Sequence, residues 1–93
     1  MHDGILKQMR EKIRTRQYVL ALHAEEGMDN DYLSIFDLER AILTRRITKR
    51  QKDRVAEEWK YLVEGKSVGG DPVVVVARLS ITGKLVNITL FLV

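Results

Sequence analysis

The sequence predicts an α+β domain in which three N-terminal helices pack on a C-terminal four-stranded antiparallel β-meander. Three observations predict it. From Trp59 onward the apolar residues follow a two-residue period interrupted by glycine-containing turns, whereas before Thr44 they recur every three to four residues. A chain of 93 residues is also only long enough to bury one core, so residues 1–93 read as a single domain.

The elements follow in order. Ile5, Leu6, Met9 and Ile13 form one stripe of a helix over about 3–14, with Asp3 placed to cap it. Tyr18, Val19 and Leu22 suggest a second helix over about 18–26, closed by Gly27. Ser34, with Asp37 three residues on, is a variant capping box for a third helix over about 35–44, whose apolar face is Ile35, Leu38, Ala41 and Ile42. Ile47 points inward from a basic first strand, 47–51, whose charges discourage pairing with other chains. Residues 52–58 read as a loop. Trp59, Tyr61 and Val63 alternate with Lys60, Glu64 and Lys66 in a strand over 59–67, and Gly69, Gly70 and Pro72 turn the chain into an apolar central strand, 73–79. Gly83 turns it again into a last strand, 85–92.

Composition narrows the function classes. Cysteine is absent, so disulfides and thiolate-bound metal are excluded. No stretch reaches the roughly 18–20 apolar residues of a membrane span, and the start lacks a signal-peptide pattern, so a cytoplasmic protein is expected. The formal charge is +3, but it is segregated. Lys7, Arg10, Lys12, Arg14 and Arg16 crowd one segment, and Arg45, Arg46, Lys49, Arg50, Lys52 and Arg54 another; Glu25, Glu26, Asp29, Asp31, Asp37 and Glu39 lie between. Such a field steers charged partners, although solvated helix faces have the same pattern.

Alternation extends this to a site. If Val73, Val75, Ala77 and Leu79 face the helices, then Val74, Val76 and Arg78 face away. Taking Val86, Ile88, Leu90 and Leu92 as inward leaves Asn87, Thr89 and Phe91 on the open face with Lys60, Lys66 and Arg78. Cations beside an aromatic ring suit a single-stranded nucleic acid; an ordinary wet sheet face is the alternative. His23 is a candidate general acid or base with Glu26 in reach, or else a histidine serving the fold. No phosphate loop, nucleophile elbow or metal-ligand spacing is present, so no metal or cofactor is expected.

Residues 18–26 (Tyr-Val-Leu-Ala-Leu-His-Ala-Glu-Glu), residues 37–43 (Asp-Leu-Glu-Arg-Ala-Ile-Leu), residues 59–63 (Trp-Lys-Tyr-Leu-Val) with Gly65, Gly70 and Pro72, and Ile88-Thr89 resemble the bacterial family called domain of unknown function 4258. That family is grouped with the RelE/ParE toxin superfamily, whose fold is helices on a curved antiparallel sheet. The resemblance implies a type II toxin, a metal-independent endoribonuclease acting on messenger RNA or at the ribosome, neutralised by an antitoxin that sometimes carries a zinc finger. His23 matches the family's His-Ala pair and is expected as base or acid; Lys60 and Tyr61 match its Lys-Tyr pair, and Lys60 with the open-face cations Lys66 and Arg78 is expected to contact phosphate, while alternation places Tyr61 on the covered face. Arg45, Arg46, Lys49, Arg50, Lys52, Arg54 and Phe91 would hold nucleic acid. Phe91 stands where relatives commonly have tyrosine, and phenylalanine stacks but exchanges no proton. A non-catalytic module binding an antitoxin, RNA or another protein is the competing expectation.

Overall fold

Val73 to Ala77 are all buried, and the strand that carries them, β4 (Pro72–Leu79), is the middle of a five-stranded sheet. The computed structural model describes residues 2–52 and 58–93. β3 (Trp59–Lys66) and β5 (Leu85–Leu92) flank β4 antiparallel, and β2 (Arg46–Lys52) lies outside β3. β1 (Tyr18–Leu20) lies outside β5 and runs parallel to it. Three helices, α1 (Asp3–Arg14), α2 (Leu22–Asn30) and α3 (Ile35–Thr44), send Leu6, Met9, Ile13, Met28, Leu38 and Ile42 into one buried cluster with Tyr61, Val63, Val75 and Leu90 of the sheet. Tyr61 therefore belongs to the core, where His2 stands edge-on to its ring.

The four-stranded antiparallel meander expected from the sequence is corrected to a five-stranded mixed sheet. Tyr18 to Leu20, expected as the first turn of a helix over 18–26, form β1 instead, and α2 runs from Leu22 to Asn30. The cause is a partner far along the chain: Tyr18, Val19 and Leu20 pair with Leu85, Val86 and Asn87. This pairing satisfies backbone groups that β5 would otherwise leave open. Gly27 lies inside α2 rather than ending it, because a Cβ there would stand 2.8 Å from the Leu90 carbonyl oxygen. The missing side chain lets α2 continue along β5 where β1 stops. Asp31 then accepts the Leu92 N–H at 3.0 Å. Asp3, expected as a cap, sits in the first turn of α1, which has no side-chain cap.

A β-bulge makes the second correction. Val76 pairs with Thr89 but Ala77 with Asn87, so Ile88 is an extra residue in β5. One extra residue inverts the alternation beyond it. Leu85, Asn87, Leu90 and Leu92 therefore share the helix side, while Val86, Thr89 and Phe91 face away. Asn87, expected on the open face, is 0 % exposed. Its Nδ2 donates to the Val19 carbonyl oxygen at 3.2 Å, and its Oδ1 has no partner among the described residues.

α3 is fixed by side chains from distant parts of the chain. The Asp37 carboxylate accepts from the Ser34 N–H at 2.7 Å and the Ser34 hydroxyl at 3.2 Å, which completes the expected capping box. It also accepts from the Val68 N–H, at 2.7 Å, in the turn between β3 and β4. At the other end no glycine stops the helix; Arg10 of α1 donates through Nε to the Ile42 carbonyl at 2.9 Å and through Nη2 to that of Arg45 at 2.6 Å. Between the ends, Ala41 rests against Gly65 of β3.

Tyr18 joins β1 to α3 by donating its hydroxyl to Glu39 Oε2 at 2.6 Å. Burial, then the hydrogen bond and charge of Glu39, push its pKa up to about 12. A raised acid favours the protonated fold, so this contribution is complete below the ordinary tyrosine value of about 10 and is lost as pH rises through the folded value. Tyr18→Phe is expected to cost about 1 kcal/mol at neutral pH and to remove the phenolate step near 12. Urea unfolding and ultraviolet titration read these two outcomes; an unchanged alkaline titration would refute the assignment.

Candidate nucleic-acid interface

The sheet face turned away from the helices is a lattice fixed by strand register. Phe91, Val74, Glu64 and Arg46 form one row across β5, β4, β3 and β2. Thr89, Val76, Leu62 and Lys49 form the next. Val19, Val86 and Arg78 form the third on β1, β5 and β4, and Lys60 pairs with Gln51 on β3 and β2, just past the last β3–β4 pair. Successive rows are roughly 7 Å apart, the length of a two-residue step along a strand.

Two halves result. Around Phe91 (39 % exposed) and Val19 (43 % exposed) the face is apolar, and Val74 and Val76 at its middle are buried although they point away from the helices. Toward β2 it is mainly basic, with Lys49, Arg46, Lys60 and Arg78 and one exposed acid, Glu64, beside Arg46. The β4–β5 half of this surface is thus largely valine, with Val74 and Val76 buried.

Of the residues expected to act on phosphate, Lys60 and Arg78 lie on adjacent strands, each one residue beyond the last β3–β4 pair, Tyr61 and Ala77. Arg78 already has a partner: its Nη1 lies 2.7 Å from Glu58 Oε2. The pair is partly exposed, so its net worth is at most about 1 kcal/mol, and a phosphate can compete with Glu58 for the guanidinium. Glu58 is a site residue that sequence reasoning missed, having been placed in a loop. Lys66 shares the face but pairs with Pro72 at the far end of β3. Six residues separate it from Lys60, roughly 20 Å of strand, so the two do not hold one phosphate.

His23 is exposed near the start of α2, outside the β5 edge, and makes no hydrogen bond with Glu26, which is also exposed. From β5 to β3 is two strand spacings, roughly 10 Å, so His23 and Lys60 stand on opposite sides of the apolar half. Local pattern does not show this, because the expected helix over 18–26 includes Tyr18 to Leu20, which form β1, and α2 begins only at Leu22. Phe91 and Thr89 hold the open-face positions expected of them.

The basic link divides by register. Arg46, Lys49 and Gln51 share the open face, whereas Arg50 and Lys52 are opposite Tyr61 and Trp59 on the helix side. The Arg50 guanidinium lies 4.2 Å from the centre of the Trp59 ring, a cation–π contact. Arg45 caps α3 in extended conformation and, with Asp3, Leu6, Arg10, Thr44 and Arg46, lines a polar cleft of about 390 Å³. Arg54 lies outside the described residues. Among the described residues no three His, Asp or Glu side chains are grouped to hold a metal, and no helix is long and apolar enough to cross a membrane.

Three helices on one face of a mixed sheet, with the other face open and half basic, define a small α+β protein built around a single exposed sheet surface. The chain belongs to the family described as domain of unknown function 4258, whose model matches residues 20–91. That span takes in α2, α3, β2, β3, β4 and all but the last residue of β5. No curated protein and no solved structure matches the chain.

Proposed function

We propose that the chain acts on RNA as a toxin of the RelE/ParE kind, a cytoplasmic, metal-independent endoribonuclease held in check by an antitoxin. The observation that carries the reading is the set of cations on one sheet face, Lys60 and Arg78 at the same end of adjacent strands β3 and β4 and Lys49 on β2, with Val19 and Phe91 across that face. Cations there neutralise phosphates, and the ring offers a stacking surface for a base. Lys60 and Arg78 stabilise charge that develops on a phosphate, provided Glu58 gives way. His23, outside β5, takes or gives the proton only if the RNA crosses the apolar half to reach it.

A second reading has its own support. The separation of His23 from Lys60, together with phenylalanine at position 91, favours a non-catalytic module that binds RNA or protein through the same face. Induced expression of the wild type beside Arg78→Ala and His23→Ala, with soluble protein measured, separates the two. Growth arrest with transcript cleavage by the wild type, relieved by Arg78→Ala, is the outcome expected of a ribonuclease. Normal growth with folded protein present would remove that reading and leave the module. Where the face binds single-stranded RNA, catalytically or not, each phosphate-contacting lysine contributes about 0.7 to the slope of log K against log salt. Lys60→Ala is expected to reduce the slope by about that amount, and an unchanged slope would place the RNA elsewhere.

A further inference from the structure

We propose that the outer edge of β2 is a docking site for an extended acidic peptide segment of another protein, added to the sheet as a sixth strand. The proposal stands on the strand edge and does not depend on the ribonuclease reading. β2 ends the strand order, so among the described residues its outer backbone groups pair with no strand. Such an edge is a template for an incoming chain. Its composition selects the occupant: residues 46–52 read Arg-Ile-Thr-Lys-Arg-Gln-Lys, with no acid, and only Ile47 is buried. Register puts Arg46 and Lys49 on the open face and Arg50 and Lys52 on the helix side. An added strand therefore meets positive charge whichever way its side chains point.

The alternatives fit less well. A second copy pairing through β2 sets bases against bases, which is destabilising. The opposite edge, β1, has three residues before α2 begins and offers no comparable run. Nucleic acid satisfies the charges but leaves the strand's N–H and C=O groups unused, whereas a peptide uses both. A sixth strand would also place carboxylates in the lattice column beside Arg46 and Lys49, which opposes binding of a polyanion on the open face.

The test uses the full chain and a capped peptide of alternating Glu and Thr as long as β2, with amide hydrogen exchange as the readout. At a peptide concentration about ten times its Kd, the outward β2 amides are expected to exchange about tenfold more slowly. A peptide of the same sequence, N-methylated at alternate residues, keeps its charge but cannot pair and is expected to lose this protection. Lys49→Glu with Lys52→Glu, both at exposed positions, is expected to weaken binding about tenfold. The proposal is overturned if the peptide does not bind, if the methylated peptide protects equally, if protection falls outside residues 46–52, or if single-stranded RNA slows the same amides as much.

Discussion

Gly65→Val is expected to lower stability by about 3 kcal/mol, a large share of the roughly 5–15 kcal/mol that holds a domain of this size. Gly65 is buried in β3 where α3 crosses it, and a Cβ there would lie 2.8 Å from both Cα and Cβ of Ala41. One of these atoms is backbone and the other is a Cβ with no rotamer to change, so no side-chain rotation relieves the clash and α3 must move off the sheet. The same shift loosens Leu38 and Ile42, which are fully buried. Valine's better strand propensity returns less than about 1 kcal/mol. Gly65→Ala is expected to cost about 1–2 kcal/mol, with partial recovery on adding Ala41→Gly, since one of the two close atoms is then gone. Gly69→Ala serves as the control because its Cβ would meet nothing nearer than 3.8 Å, and a change within about 0.5 kcal/mol is expected. Urea unfolding measures all four, and equal stability of Gly65→Val and wild type would refute the close approach.

Asp37→Ala is expected to cost about 2–3 kcal/mol, because one carboxylate serves the start of α3 and the turn between β3 and β4 together. Burial raises the pKa of Asp37, but the hydrogen bonds from the Ser34 and Val68 backbone and from the Ser34 hydroxyl outweigh it and hold the carboxyl below the ordinary range. A depressed carboxyl stabilises the fold fully above its unfolded value, about 3.9, and the contribution disappears as pH falls through the folded value. Wild-type stability should therefore decline from about pH 5 into the acid range, while Asp37→Asn starts lower and declines less. Parallel acid limbs for the two proteins would show that another carboxylate governs the acid range.

The parts of the fold legible in the sequence are those set by local pattern. Ile5, Leu6, Met9 and Ile13 repeat at helical spacing, and α1 occupies the expected residues 3–14. Ser34 and Asp37 announce the start of α3, and Gly70 and Gly83 take the positive φ that the turns before β4 and β5 need. What could not be read depends on distant partners. Three residues, Tyr18 to Leu20, are too few to show a period and become a strand only because Leu85 to Asn87 lie beside them. The extra residue at Ile88 leaves no mark in composition, yet it turns Asn87 to the helix side while Thr89 faces away. The candidate site inherits the same division: Lys60, Arg78 and Phe91 were placed on their face by alternation, whereas the Glu58 contact, the remoteness of Lys66 and the position of His23 follow from three-dimensional arrangement.

The place of β5 in the sheet has a consequence for biosynthesis. β5 is the last of the strands in chain order, yet it lies between β4 and β1. A nascent chain that has released everything up to Leu79 holds β4, the most buried strand of the finished sheet, with one edge open, and β1 has nothing to pair with. Helices and hairpin can form early, but the sheet closes only when Leu85–Leu92 leaves the ribosome and inserts as a wedge between elements already present. During translation the valine-rich edge thus stays unpaired until β5 arrives, and the sheet is completed only after these residues are synthesised, not progressively along with them.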